Sequence, residues 1–589
     1  MSAGIHYKIT PVSPQGHRFA VVLTIEQPQA TGQLLVMPAW IPGSYLVRDF
    51  AQHVAQVSAE SEGAPVRIHK TDKSTWRLGQ VTGAVEVRYE VYAFDFSVRG
   101  AYLDSTRGFF NGSSVFLCVE GQQDEPVTVE ICAPPEDSTE SWRVATTLPR
   151  DGASQWGFGH YTASGYEELI DHPVEMGHFE LVKFLVAKVP HYFVLSGRYR
   201  SLSSRLARDA ELICEQHVSL FGELPPMECY LFLTRVEGSG YGGLEHRSSC
   251  ALVCSRHELP RGKGKPDDDY CRFLGLVSHE YFHLWNVKRI KPAGFLPYDL
   301  GSETYTRQLW VFEGVTSYYD DLALVRSGVI EHDAYLKLVA KTIGRVAQGY
   351  GRKVQSLADS SFDAWIKFYK PNANTPNSVV SYYTKGALVA LALDLTIRLR
   401  TGNVHSLDHV MQAMWRQYGA PLAGVPEDGF EEMAEQVTGL HLRPFFEAMI
   451  RDVAEPPLIS LFADVGLTLS NKPPVGAQVE LGIELAEGSG KVGAVRRGSC
   501  GEAAGIAPGD ELVAFDGMKI DATNAERLLT PYAPGDTVDL HLFRRDELLC
   551  IGVCLEARVS HEYELVVASE ETDQQRQARR SWLLGRHAT

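Results

Sequence analysis

His279, Glu280 and His283 spell H-E-x-x-H within the run Ser278–Trp285 (SHEYFHLW). On a helix, residues four apart share a face, so both imidazoles can bind one metal ion. Glu280 then stands beside a metal-activated water, where a carboxylate can take its proton. Glu313 follows thirty residues beyond His283, inside a second helix-like stretch, Trp310–Asp321 (WVFEGVTSYYDD). Two histidines and one glutamate around zinc leave a position open for water, the composition of a hydrolytic rather than a structural site. Asp320 lies two turns beyond Glu313 on the same face and is placed to orient a ligating imidazole, with Asp321 the neighbouring alternative.

A lone pentad of this kind also arises by chance, so its setting decides its meaning. Pro266 and the run Asp267–Asp269 suit a helix start, and Phe273, Leu276, Val277 and Leu284 recur at helical spacing. Pro292 must end that helix. The pattern therefore predicts a pentad in mid-helix, closed by Lys288, Arg289 and Lys291, whose charges favour a helix C-terminus.

Two further motifs flank it: GGLEH at Gly242–His246 and YTKG at Tyr383–Gly386. Together with the pentad they resemble the gluzincin metallopeptidases and, among these, the aminopeptidase N branch. That resemblance implies that Glu245 binds the substrate's free α-amino group, in a substrate-binding segment with Gly242 and Gly243. It also implies that Tyr383 hydrogen-bonds the tetrahedral oxyanion, with Tyr382 as its competitor. His246 departs from the pattern, standing where that branch has asparagine. The blocks HEYFHLWNVKRIKP, GGLEH, WVFEGVTSYY, SYYTKGALVALALDL and PAWIPGSYLVRDFAQH resemble, more closely, the glycyl aminopeptidase family. The likeness runs over essentially the whole chain. It implies a zinc exopeptidase that removes small N-terminal residues, glycine and alanine, and that carries a PDZ-like domain at its C-terminus.

The elements that must position these residues form a multidomain α+β chain. At 589 residues and 44% hydrophobic, it can bury several cores. Residues 1–170 show short alternating runs between Gly, Pro and Asn, the pattern of an all-β sandwich. In that stretch the GSYLVRDF loop reads as a packed turn. Residues 171–455 form the catalytic domain, expected to be a thermolysin-like mixed sheet followed by helices. A sheet edge at GGLEH can hold a peptide backbone as an added strand. Residues 456–560 form the PDZ-like domain, carried by Val495–Asp516 (VRRGSCGEAAGIAPGDELVAFD), with Leu481–Leu485 as a possible seat for a peptide C-terminus. Residues 561–589 form a charged tail, read as a helix docked through Trp582, Leu583 and Leu584.

Fifty-six basic against 73 acidic residues give a net charge of −17, which disfavours nucleic acid or anionic membrane as partner. The ten cysteines have no framework spacing. Met1–Thr10 shows no basic stretch leading into an apolar one, and no run approaches a membrane span. The expectation is a cytoplasmic protein, or a periplasmic one if a leader is removed. The motifs together favour a zinc aminopeptidase acting on peptides with a free N-terminus. Its alternatives are a metal-dependent hydrolase of a non-peptide substrate and a PDZ-type peptide-binding or quality-control protein. An endopeptidase differs only in bond position, and Glu245 disfavours it. The oligomeric state is not legible in the sequence.

Overall fold

A computed structural model describes residues 4–135, 142–486 and 488–585. Residues 1–3 and 136–141 of the expected sandwich, Glu487 of the expected PDZ-like segment and residues 586–589 of the expected tail lie outside the described residues. The chain forms two compact units. One comprises Met1–Thr304, Arg326–Ile330 and Met411–Pro426; the other comprises Tyr305–Val325, Glu331–Val410 and Glu427–Thr589.

The first unit begins with β-structure. A seven-stranded sheet centres on Ile5–Ser13, Arg18–Ile25 and Val85–Tyr92, and two four-stranded sheets accompany it. Strict alternation drives this: Phe19, Val21, Leu23 and Ile25 are buried while the residues between them are not. The core they build does not end near residue 170. It runs on into Val194, Leu231, Leu233 and Leu244 of the next sheet.

That next sheet has five strands in the order Glu180–Val186, Val189–Gly197, Tyr230–Glu237, Ser249–Ser255 and Gly242–Glu245. Val189–Gly197, Tyr230–Glu237 and Ser249–Ser255 run parallel, and the two outer strands are antiparallel to their neighbours. Gly242–Glu245 therefore lies on the sheet edge. The helices Ser203–Phe221 and Asp268–Phe282 pack together beside this sheet.

The second unit is helical up to Asp464 and then turns mainly to β-structure. Its helices include Val315–Arg326, His332–Gln348 and Thr384–Arg400. The last of these is buried over almost its whole length, as its near-continuous apolar sequence requires. Beyond it, Leu467–Asn471 pairs with Tyr563–Val567, bracketing a β-module with its own core around Val479, Phe515, Leu540 and Val553. The module's main sheet has the order Met518–Lys519, Glu511–Phe515, Thr537–Arg544 and Glu547–Cys554. A C-terminal helix, Asp573–Leu584, opens with a reciprocal cap between Thr572 and Gln575. Its Trp582 is fully buried, packs on Tyr335 and donates to the Tyr318 hydroxyl at 3.0 Å. Among the described residues no helix is long and apolar enough to cross a membrane.

Candidate active site

The pentad helix starts where the sequence predicts. Asp267 caps it, its carboxylate accepting from the Tyr270 amide at 2.8 Å. It ends earlier than predicted, at Phe282, so the pentad occupies the C-terminal turn rather than mid-helix. Leu284 and Trp285 switch to three-residue hydrogen bonds, and Val287 adopts a φ of 115°, which no helix accommodates. His283 keeps helical dihedrals as the C-cap, so both imidazoles still share a face, with ring centroids 4.6 Å apart.

Two neutral histidines brace this helix. His217 Nε2 lies 2.8 Å from Ser278 Oγ, and His191 Nε2 lies 3.0 Å from the Tyr281 hydroxyl. Burial depresses both rings, to about 3 and about 4, so they serve as uncharged hydrogen-bonding groups. His283 Nδ1 lies 2.8 Å from Asn286 O. A carbonyl can only accept, so Nδ1 carries the proton and Nε2 presents its lone pair. This is how a backbone carbonyl fixes a metal-ligating tautomer.

Glu280 faces the sheet edge. A Cβ on Gly243 would lie 2.6 Å from Glu280 Cγ, so the edge strand must be glycine there. Two residues on, Glu245 is buried, and its Oε1 has no hydrogen-bond partner among the described residues. Ligand atoms of Glu245, Glu280 and His283 all lie within 4.8 Å of one another. Arg99 reaches the same strand from the β-domain and donates to Gly243 O at 3.2 Å.

His246 is not at the sheet edge's working face but in a buried ionic cluster. Its Nδ1 lies 3.2 Å from Asp171 Oδ1, which also accepts from Lys288 Nζ at 2.8 Å. Burial alone would raise the Asp171 carboxyl; Lys288, His246 and Arg247 outweigh it and hold the group well below the usual range. Lys288 and Lys291 therefore do not cap the pentad helix as the sequence predicts. Lys291 is buried over the Tyr298 ring, its ammonium pushed down to about 8 by burial and then by Lys288. Arg289 alone meets the helix end, donating to Leu284 O at 2.8 Å.

In the second unit, Glu313 is buried on a π-helical turn, Trp310–Gly314, that leads into the helix Val315–Arg326. Such turns widen the backbone spiral and often carry functional side chains. Asp320 is half-buried on that helix, its Oδ1 accepting from the Asp321 amide. Tyr383 precedes the helix Thr384–Arg400, its hydroxyl 3.0 Å from that of Tyr369. Burial, and then the Glu313 carboxylate, push the Tyr383 phenol well above its ordinary value, so it remains a hydrogen-bond donor. Tyr382 is fully buried against Phe368, whereas Tyr383, which also stacks on Phe368, keeps some exposure.

Residues 6–178 match the Peptidase M61 N-terminal domain, and residues 272–389 match the M61 glycyl aminopeptidase. The crystal structure of an aminopeptidase N family protein from Idiomarina loihiensis is 40% identical, with a TM-score of 0.94 over 98% of this chain and 100% of that one. The chain belongs to the M61 glycyl aminopeptidase family. Its members' chemistry makes it a metallopeptidase of the aminopeptidase kind. An M1 zinc metallopeptidase from Deinococcus radiodurans is 13% identical, with a TM-score of 0.49 over 77% of this chain and 95% of that one. No curated protein matches. Two features of this M61 chain's site escape sequence reasoning: the contact of Arg99 with the edge strand, and the approach of Gly43 to Glu245. The Pro42-Gly43 pair signals a turn, but nothing in it names Glu245 as what the turn meets.

Proposed function

We propose that this chain is a zinc aminopeptidase that removes glycine and alanine from the free N-termini of peptides. By the family resemblance, His279, His283 and Glu313 would hold the zinc. The donor set suits that ion, and the carbonyl-fixed tautomer of His283 suits a ligand. Zinc, when bound, polarises the scissile carbonyl and acidifies water. Glu280 accepts the water's proton and passes it to the leaving amine. Tyr383, held protonated, donates to the developing oxyanion. Glu245 grips the α-ammonium, Gly242 and Gly243 give the peptide backbone access to the sheet edge, and Asp320 orients an imidazole.

One observation carries the exopeptidase reading: the Glu245 and Glu280 carboxylates lie within 4.8 Å of each other. A substrate's α-nitrogen sits only about 2.5 Å from its first carbonyl carbon. Two carboxylates this close can serve one ammonium and the adjacent peptide bond together. The family's glycyl aminopeptidase activity supports the preference for glycine, and the turn described below supports extending it no further than alanine. The C-terminal β-module, with its separate core and the strand Ile483–Leu485, supports a PDZ-like reading in which that strand seats a peptide C-terminus.

Glu280→Gln tests the assignment. The variant should keep its zinc and lose about 10²–10⁴-fold in kcat. Turnover near the wild-type level would remove Glu280 as the base.

A further inference from the structure

The loop Ala39–Asp49 belongs to the N-terminal β-domain, yet its tip reaches Glu245. Ile41-Pro42-Gly43-Ser44 closes a turn through the Ser44 amide to Ile41 O at 3.0 Å. Proline in second place and glycine at a φ of 90° in third give it the type II form, which needs glycine there. A Cβ on Gly43 would lie 2.6 Å from Glu245 Oε2 and would overlap Oε1 as well. The turn is therefore pressed directly against that carboxylate.

It is also firmly tied. Trp40 Nε1 donates to Asp299 O at 2.8 Å, and the Ala39 amide donates to Leu300 O at 2.7 Å. Ala39 O accepts in turn from the amides of Arg48 and Asp49 at 2.7 and 3.0 Å. Trp40 and Tyr45 are buried against Phe295, and Trp40 also meets Tyr298. These ties on both sides of the turn hold it in place beside Glu245.

We infer that the Pro42–Gly43 turn is the specificity wall of this enzyme, limiting the first substrate side chain to a hydrogen or a methyl group. The inference rests on the proposed role of Glu245 as amine anchor. An ammonium held by that carboxylate sits about 2.8 Å from it. The substrate's first Cα is then only about 1.5 Å further on. The first side chain thus starts beside the carboxylate that Gly43 already covers. Gly43 and Pro42 act here as positioning residues, through Glu245 and through the space they leave.

The test is a competition among Gly-Ala-Phe-Lys, Ala-Ala-Phe-Lys and Leu-Ala-Phe-Lys, followed by mass spectrometry, with the wild-type chain and two variants. Discrimination of a single methylene in a pocket is worth about 10- to 200-fold. Pro42→Ala removes the ring that fixes the turn carrying Gly43 and should raise the leucyl-to-glycyl ratio by about tenfold. Gly43→Ala raises the wall and should increase the glycyl-to-alanyl ratio by about tenfold. If Gly43→Ala fails to fold, as thermal melting will show, Pro42→Ala alone decides. Rates that fall in parallel with unchanged ratios overturn the wall, because a merely structural lesion does not alter selectivity. Equal wild-type cleavage of Nα-acetylated and free peptides is a separate failure, removing the amine anchor and this inference with it.

Discussion

Gly314 and Gly386 meet backbone to backbone: a Cβ on Gly314 would lie 2.7 Å from the Gly386 Cα, and one on Gly386 would lie 2.9 Å from the Gly314 Cα. This contact brings the π-helical turn that carries Glu313 against the start of the helix that follows Tyr383. The glycines of the E-G and K-G pairs thus have a steric cause. An added methyl at either position should destabilise the chain by about 1–3 kcal/mol. Urea unfolding of Gly386→Ala checks this, and an unchanged midpoint would show that the backbones can part.

Tyr383 is the second test of the site. Losing one oxyanion donor costs about 10²–10³-fold in kcat. Tyr383→Phe should show that loss with KM little altered, because the phenol acts on charge that develops only in the transition state. A variant whose KM rises while kcat holds would make Tyr383 a binding residue instead.

The Asp171 cluster should reveal itself in pH-dependent stability. A carboxyl whose folded pKa lies below its unfolded value stabilises the fold above about pH 4, and that contribution is lost as pH falls through the folded value. Removing one partner of a buried ion pair costs about 3–5 kcal/mol. Asp171→Ala should therefore be weakened by that order at pH 7, with the gap to wild type closing as the pH drops below about 4. Denaturant melts at a series of pH values measure the gap; one that stays constant through the acid range would contradict the account.

Trp582 anchors the C-terminal helix within the second unit. Its indole is fully buried, and next to it Ser581 Oγ accepts from Arg398, whose guanidinium also pairs with Asp394 and Asp408. Trp582→Ala should cost about 3–5 kcal/mol. A chain ending at Ala568 should melt well below wild type; an unchanged melting temperature would show that the helix contributes nothing.

What the sequence disclosed and what it hid divide along physical lines. The pentad was legible because helical spacing fixes its geometry, GGLEH and YTKG only through their likeness to a known family, and the alternation of Phe19–Ile25 because strands have a period of two. The helix end at Phe282 was not, because it depends on the φ of Val287 and on where Lys288 finds Asp171. Read along the chain, Lys288 resembled a helix-dipole partner. The π-turn at Glu313 was hidden too, since its hydrogen bonds run in a helical sequence and its glycine contact lies in another helix. Gly43 and Glu245 are far apart in the chain, and only the folded β-domain brings them together.

On the proposed function, Glu245 holds a free α-ammonium beside the base Glu280. Gly-Ala-Phe-Lys and its Nα-acetylated twin, incubated with the purified zinc-loaded protein and followed by mass spectrometry, test it directly. Release of glycine from the free peptide alone is the expected result. Cleavage of both peptides at an internal bond, or of neither, would contradict it.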